Sequence, residues 1–288
     1  MTKPTTSKRC LLWDYTNTRD RPDAIDQLFP TTSSATTSKA SESATTPLTV
    51  TPFKSVHNWN AWYPPELKGR LPFRPMIRTR AQLDTEEWDW IRDSDAEMVH
   101  YLNEPERQGI SPGDAAAWWL EKVVPELRET RGKKLVGPAC ASDPGGAAWL
   151  AEFMRIVYED EEKKEKQEEH DGEKKRMGPD FFGVHYYSGD VEHAKLYLTS
   201  MYERYGLPLN VSEIASISRD PGEVEVFTEE LSGWMDEREW IDEYGWFGCM
   251  AHCADDFVSP AAQLMDGEGR FTPLMRRLMG HDPSSTSC

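Results

Sequence analysis

Short apolar runs alternate along the chain with longer amphipathic stretches, the pattern of a parallel sheet whose strands are joined by crossover helices. Eight such runs can be marked: Cys10 to Trp13, Ser55 to Trp59, Phe73 to Ile77, Met98 to Asn103, Lys134 to Pro138, Phe181 to Tyr186, Leu209 to Ser212 and Tyr244 to Cys249. Helical spacing separates several of them. From Pro112 to Leu127, the residues Ala116, Trp119, Leu120 and Val123 fall on one stripe. Ala194, Leu198, Met201 and Tyr205 do so between Val191 and Tyr205, and a further helix is expected from Val226 to Asp236. An open doubly wound sheet would share this alternation, but no glycine-rich phosphate loop follows the first run, as that fold's cofactor site requires. The pattern therefore predicts an α/β fold of the (β/α)8 TIM-barrel type. A single catalytic domain over 1–281 is expected.

Two stretches interrupt the alternation. Residues 31–51 are almost wholly Thr, Ser, Ala and Lys, too poor in apolar side chains to offset the entropy of ordering them, and predict a flexible surface loop. Residues 159–176 are dense in Glu, Lys and Asp and predict either a charged extension of the preceding helix or a disordered insertion. A short polar tail, 282–288, is expected to fray.

At 288 residues the chain suits one barrel with insertions, and eleven Trp, ten Tyr and ten Phe supply a core with aromatics to spare for a cleft. A net charge of -17 repels phosphate backbones and anionic bilayers, so neither nucleic acid nor a membrane is expected as a partner. A neutral polymer such as a polysaccharide meets no such barrier. Met1 to Thr6 lacks the basic start and apolar run of a signal peptide, and location stays open. Cys10, Cys140, Cys249, Cys253 and Cys288 show no disulfide-framework spacing and read as free thiols. Cys249, His252 and Cys253 lack the spacing of a zinc knuckle, so no metal and no cofactor are expected.

Chemistry in a parallel barrel sits at the C-terminal strand ends. The fourth run ends in Asn103-Glu104-Pro105 and the seventh in Ser212-Glu213-Ile214, each bringing one glutamate to the mouth. Glycoside hydrolysis needs such a pair. One carboxyl donates a proton to the leaving oxygen while the other, ionised, attacks the anomeric carbon, and retention holds them about 5 to 5.5 Å apart. Among fifty acidic residues, two glutamates taken at random are surface charges, and spacing alone leaves that reading open.

The Asn103-Glu104-Pro105 triplet resembles the acid/base motif of the retaining barrel glycosidases with catalytic glutamates after strands four and seven. More closely, the chain resembles glycoside hydrolase family 128, a family of β-1,3-glucanases. The segments that carry the likeness are Arg9 to Trp13, His57-Asn58-Trp59, Phe73 to Met76, Leu102 to Pro105, Gly137-Pro138-Ala139, His185-Tyr186-Tyr187, Val211-Ser212-Glu213 and Tyr244 to Gly248. The resemblance implies a (β/α)8 fold, β-1,3-glucan as substrate, Glu104 as general acid/base and Glu213 as nucleophile. It also implies a monomer, secreted or attached to the cell wall. Ser212, Ile214 and Tyr186 depart from the family's usual Thr, aromatic and Trp, which bears on subsite preference more than on the reaction.

Trp13, Trp59, Trp62, Tyr63, Tyr187 and Trp246 follow or end strands and are candidates to wall a cleft or to fill the barrel, and Asn58 joins the substrate-binding candidates. Trp88, Trp90, Trp118, Trp119, Trp149, Trp234 and Trp240 lie on helices or loops and are expected to pack. Asn103 either bonds the sugar 2-hydroxyl or caps a turn. His185 and Tyr187 share a strand face, with Tyr187 able to reach the nucleophile; His185 reads equally as a satisfied buried histidine. Two other functions stay open, a β-1,3-glucan oligosaccharide-binding protein with weak or no activity and a retaining glycosidase of another substrate class.

Overall fold

The computed structural model describes residues 7–29, 52–167, 176–253 and 257–280. The core is a closed ring of parallel strands. In the centre of its longer sheet β1 (Arg9–Leu12) pairs with both β2 (Phe53–His57) and β9 (Ile241–Trp246), so first and last strands close on each other. The third expected strand is broken at Pro75, which has no N–H for a ladder. Before it, β3 (Phe73–Arg74) pairs with β2; after it, β4 (Met76–Ile77) pairs with β5 (Met98–Tyr101), and β5 with β6 (Lys134–Val136). The Val136–Phe181 bridge joins β6 to β7 (Phe182–Ser188), which pairs with β8 (Leu209–Ser216), which pairs with β9. Counting β3 and β4 as one, eight parallel strands make the (β/α)8 barrel expected from the sequence.

The helices form where caps and apolar spacing agree. The helix α1 (Tyr15–Asp20) follows β1 and α2 (Glu86–Asp93) precedes β5. Between β5 and β6, α3 (Pro112–Trp118) starts on the Ser111 cap and runs on in wider π-type turns over Trp119–Glu129, where Pro125 cannot donate an ordinary helical bond. The helix α4 (Pro144–Gln167) carries the first part of the charged stretch as its own extension; 168–175 lie outside the described residues. The helix α5 (Val191–Tyr205) has the expected bounds, opened by Asp190 and closed by Gly206 at φ 66°. The helix α6 (Pro221–Asp236) begins five residues before the expected Val226, because the Asp220 side chain caps it and Pro221 suits its first turn. A short α7 (Pro273–Leu278) follows β9. The Ser/Thr-rich stretch 31–51 and the tail 282–288 also lie outside the described residues. No described helix is long and apolar enough to cross a membrane.

Alternation along each strand sorts the core into two layers. Leu11, Val56, Val99, Val184, Val211 and Tyr244 pack outward against the helices. Cys10, Leu12 and Met76 fill the upper barrel with Trp59, and Met98, Val136 and Phe181 fill the lower. Gly245 faces Leu12 so closely that an added Cβ would lie 2.5 Å from a Leu12 methyl. Polar residues complete the interior. Arg74 Nε lies 3.2 Å from both Glu243 oxygens, Ser55 Oγ donates to Glu243 Oε2 at 2.7 Å, and the His57 and His100 rings stack at 4.6 Å. Burial pushes the Glu243 carboxyl up, but the Arg74 guanidinium and its hydrogen bonds outweigh that and hold it below the usual range. Cys10, Cys140 and Cys249 are buried free thiols and Cys253 is partly exposed, its sulfur accepting from Gln263 Nε2 at 3.0 Å; Cys288 is outside the described residues.

Candidate active site

Glu104 and Glu213 come together at the C-terminal ends of β5 and β8. Leu102 and Glu104 adopt left-handed backbone at φ 57° and 42°, conformations that cost a non-glycine residue about 1–3 kcal/mol each. That double bend breaks the alternation of β5. It is tied down by the Glu104 N–H, which donates to the Ala139 carbonyl at 2.8 Å, and by Pro105, which stiffens the following turn. Glu213 is aimed by a different device. In the β7–β8 register Val184 opposes Val211, but His185 opposes Glu213, so Ser212 is an extra residue in β8. The bulge reverses the parity of the strand and turns Glu213 inward beside His185 instead of outward under a helix.

The imidazole of His185, 1% exposed, bridges the two: Nδ1 lies 3.1 Å from Glu104 Oε1 and Nε2 3.5 Å from Glu213 Oε1. The nearest ligand atoms of all three side chains fall within 4.8 Å of one another. Two carboxylates and an imidazole are also a donor set that a divalent cation accepts, but here Nδ1 is committed to a hydrogen bond with Glu104, while Nε2 faces Glu213 without a hydrogen bond of its own. Glu213 accepts from Trp59 Nε1 at 2.6 Å and from the Tyr187 hydroxyl at 2.7 Å. Burial pushes the Glu104 carboxyl up, yet the His185 bond and the nearby Arg107 charge outweigh it and leave it below the ordinary carboxylate range. Burial pulls His185 down, and the Glu213 charge and the Glu104 bond more than reverse this. In the free protein the proton thus favours the imidazole over the Glu104 carboxyl.

Strand parity decides which other candidates reach the mouth. Leu12 points inward, so Trp13 points outward: it is fully buried in the helical layer, with Nε1 donating to Glu66 at 2.7 Å, and presents no face to a ligand. Trp246 is likewise one residue out of phase with inward Gly245 and donates to Ser232 of α6 at 3.0 Å. Both correct the cleft-wall expectation. Asn58 is 1% exposed and holds its own loop, bonding the Trp62 carbonyl and the Asn60 N–H. Tyr63 stacks on Phe73 and bonds the Leu67 carbonyl, while Trp62 is half-buried. Trp59, at φ 58°, is brought to Glu213 as a donor. Asn103 Oδ1 is buried and has no hydrogen-bond partner in the protein. Of the tryptophans expected to pack, Trp88, Trp119 and Trp149 are buried, Trp118, Trp234 and Trp240 are partly so, and Trp90 is exposed.

Residues 34–277 match the family described as glycosyl hydrolase catalytic core. A glycoside hydrolase family 128 (subgroup VI) exo-β-1,3-glucanase from Aureobasidium namibiae is 41% identical, with TM-score 0.82 over 97% of this chain and 98% of that one. The chain belongs to the glycosyl hydrolase catalytic core family. Two structures from Cryptococcus neoformans share the fold. A subgroup V exo-β-1,3-glucanase is 23% identical, with TM-score 0.70 over 96% of this chain and all (100%) of that one. A subgroup VII oligosaccharide-binding protein is 14% identical, with TM-score 0.64 over 96% and 94%. No curated protein matches the chain.

Three residues of this glycosyl hydrolase mouth escape a reading by motif. Phe247, next inward after Gly245, meets the Trp59 ring edge-on at 5.7 Å and the Tyr187 ring at 6.1 Å. Phe257 is 58% exposed beside Tyr187, at 5.1 Å. Arg107 lies 3.4 Å from Glu104. Counting parity from Gly245 would have found Phe247; Phe257 and Arg107 sit in loops whose course no local pattern announces.

Proposed function

We propose that the chain hydrolyses β-1,3-glucan by double displacement, with Glu104 as general acid/base and Glu213 as nucleophile. The observation that carries this reading is that Glu104 and Glu213 bring carboxylate oxygens within 4.8 Å of one another at one barrel mouth, in keeping with the close pair that retention uses. The β-1,3 linkage rests on the 41% identity to an exo-β-1,3-glucanase over nearly the whole chain.

In the first step Glu213 attacks the anomeric carbon as Glu104 protonates the departing glycosidic oxygen, leaving a glycosyl ester on Glu213. In the second, ionised Glu104 takes a proton from the water that attacks the same carbon, and Glu213 leaves. The Trp59 and Tyr187 donors hold the Glu213 carboxylate in place before attack and receive it again after hydrolysis. Glu104 needs a proton before it can give one. His185, with raised proton affinity at 3.1 Å, is the adjacent source. The unpaired Asn103 amide oxygen is available to a sugar hydroxyl beside the reacting carbon.

A second reading, oligosaccharide binding without turnover, draws on the subgroup VII relative and on the low proton affinity of Glu104 in the free protein. Reducing-sugar release from linear β-1,3-glucan, measured beside binding of laminari-oligosaccharides, separates the two. Binding without release overturns hydrolysis; faster release from β-1,4-glucan overturns the substrate.

A further inference from the structure

Arg107 projects from the turn that follows Glu104. The Arg107 N–H donates to the Glu104 carbonyl at 3.0 Å, a three-residue turn that folds the guanidinium back over its own acid. Its Nε lies 3.4 Å from Glu104 Oε2 and its Nη2 3.0 Å from Asp143 Oδ2, while Glu106 Oε1 is 4.0 Å away. Asp143 is itself fixed, since its other oxygen accepts the Gly146 N–H at 2.9 Å at the start of α4. The Arg107 side chain is 58% exposed, so one edge of its fork faces solvent at the mouth.

Glu104 is therefore gripped from two sides, by buried His185 and by exposed Arg107. His185 also faces Glu213, on the side where the nucleophile stands. Arg107 has no such tie: it holds the other oxygen of Glu104, Oε2, and is the exposed partner. With Glu213 taken to mark the sugar that is attacked, the exposed Arg107 side of Glu104 is the side left for the departing part of the substrate. A departing oxygen can take a proton from Glu104 only if the carboxyl stops acting as the partner of a cation, and the hydroxyls of a departing sugar are acceptors that the planar Arg107 fork fits.

We propose that Arg107 is a specificity residue for the leaving-group sugar, which pivots on Asp143 and passes from Glu104 to that sugar's hydroxyls when substrate binds. The inference rests on Glu104 being the general acid. The handover couples recognition to chemistry: an aglycone that engages Arg107 frees the acid, and one that does not leaves it paired. The groups facing Glu104 are His185 from β7, Glu213 from β8, Asp143 at the head of α4, and Arg107 and Glu106 from its own turn. Among these Arg107 combines positive charge with exposure. The direction of the Glu104 shift, lowered in part by Arg107, agrees with the free-state pairing.

The pH profiles of Arg107→Ala and Arg107→Lys test this with laminarihexaose and an activated aryl β-glucoside. The basic limb of kcat/KM reports the acid in the free enzyme and that of kcat the acid in the complex. In the unmodified enzyme on laminarihexaose, the kcat limb is expected above the kcat/KM limb. Arg107→Ala should raise the kcat/KM limb toward it and leave the kcat limb in place. KM for laminarihexaose should rise several-fold more than KM for the aryl glucoside. Arg107→Lys should keep the limb and still raise KM, since it keeps the charge and loses the fork. Equal movement of both limbs, or of neither, overturns the handover. Should the unmodified protein release no sugar, the proposed hydrolysis fails by itself; calorimetric binding of laminarihexaose then decides, a several-fold weaker Arg107→Ala supporting the contact and an unaltered Kd overturning it.

Discussion

The indole Nε1 of Trp59, from the end of β2, donates to Glu213 Oε1 at 2.6 Å across the barrel mouth. A tryptophan used in this way is a donor to a carboxylate first and an apolar surface second. Its left-handed backbone, at φ 58°, is the local cost of that aim. The bond fixes one oxygen of Glu213, and its removal leaves the carboxylate held by Tyr187 alone among these two donors.

Trp59→Phe keeps a ring against Phe247 and removes the N–H. A hydrogen bond to a charged group contributes about 1.5–3 kcal/mol, so kcat/KM on an activated aryl β-glucoside should fall roughly 10-fold or more. An unchanged kcat/KM would show that the Tyr187 hydroxyl alone is enough to hold Glu213.

Inside the barrel, Arg74 and Glu243 form an ion pair with side chains 6% and 1% exposed. Arg74→Met leaves Glu243 buried with only Lys54, 3.3 Å away, as a positive neighbour. Stripping one partner of a buried pair typically costs about 3–5 kcal/mol, and the lower end is expected here. Arg74→Met combined with Glu243→Leu should regain most of the loss. Urea unfolding midpoints measure both, and a double variant no more stable than the single one would mean that the pair holds the barrel shape itself.

The strand order, the barrel and the two glutamates were legible because period-two runs and strand-end polar residues are local features. Tyr187 was legible too, since it shares a face with His185 and no irregularity intervenes. What failed was phase. Trp13 and Trp246 each lie one residue from an inward position, and a single step turns a side chain to the other face. The Ser212 bulge was equally invisible, for Glu213 reaches the mouth against the parity of its own strand. Trp59 and Arg107 depend on loop geometry, set by contacts distant in sequence.

Acid should weaken the fold through the stacked imidazoles. Burial lowers His57 from 6.5 to about 4, and burial pushes His100 down as well. A histidine depressed in the folded state binds its proton more readily when unfolded, so its contribution is full above pH about 6.5 and is lost as pH falls toward about 4. For His57 that is on the order of 3 kcal/mol across the window. His57→Gln keeps an N–H donor for the Arg74 carbonyl without a titrating group. The variant should show a flatter fall of stability from pH 6.5 to 4 than the unmodified protein. Parallel pH curves of unfolding free energy would remove His57 from the account.

The two glutamates should prove non-equivalent under substitution. Glu104→Ala removes the proton donor and leaves the nucleophile with its Trp59 and Tyr187 donors. An activated aryl β-glucoside needs little acid help, so the ester on Glu213 should form and then accumulate, because no base remains to activate water. Azide needs none, and should restore turnover by attacking the ester from the face opposite Glu213. Two inversions make the product the β-glycosyl azide. Glu213→Ala removes the attacking group, so the same substrate should give no burst of aryl alcohol. Azide can then enter only by direct displacement in the vacated space, and one inversion makes that product the α-glycosyl azide. Nuclear magnetic resonance distinguishes the two azides, and also the first sugar released by the unmodified protein. A β-anomer is expected there; an initial α-anomer from a β-linked chain would mean a single displacement, with one carboxylate acting as a base on water, and overturn the nucleophile role assigned to Glu213.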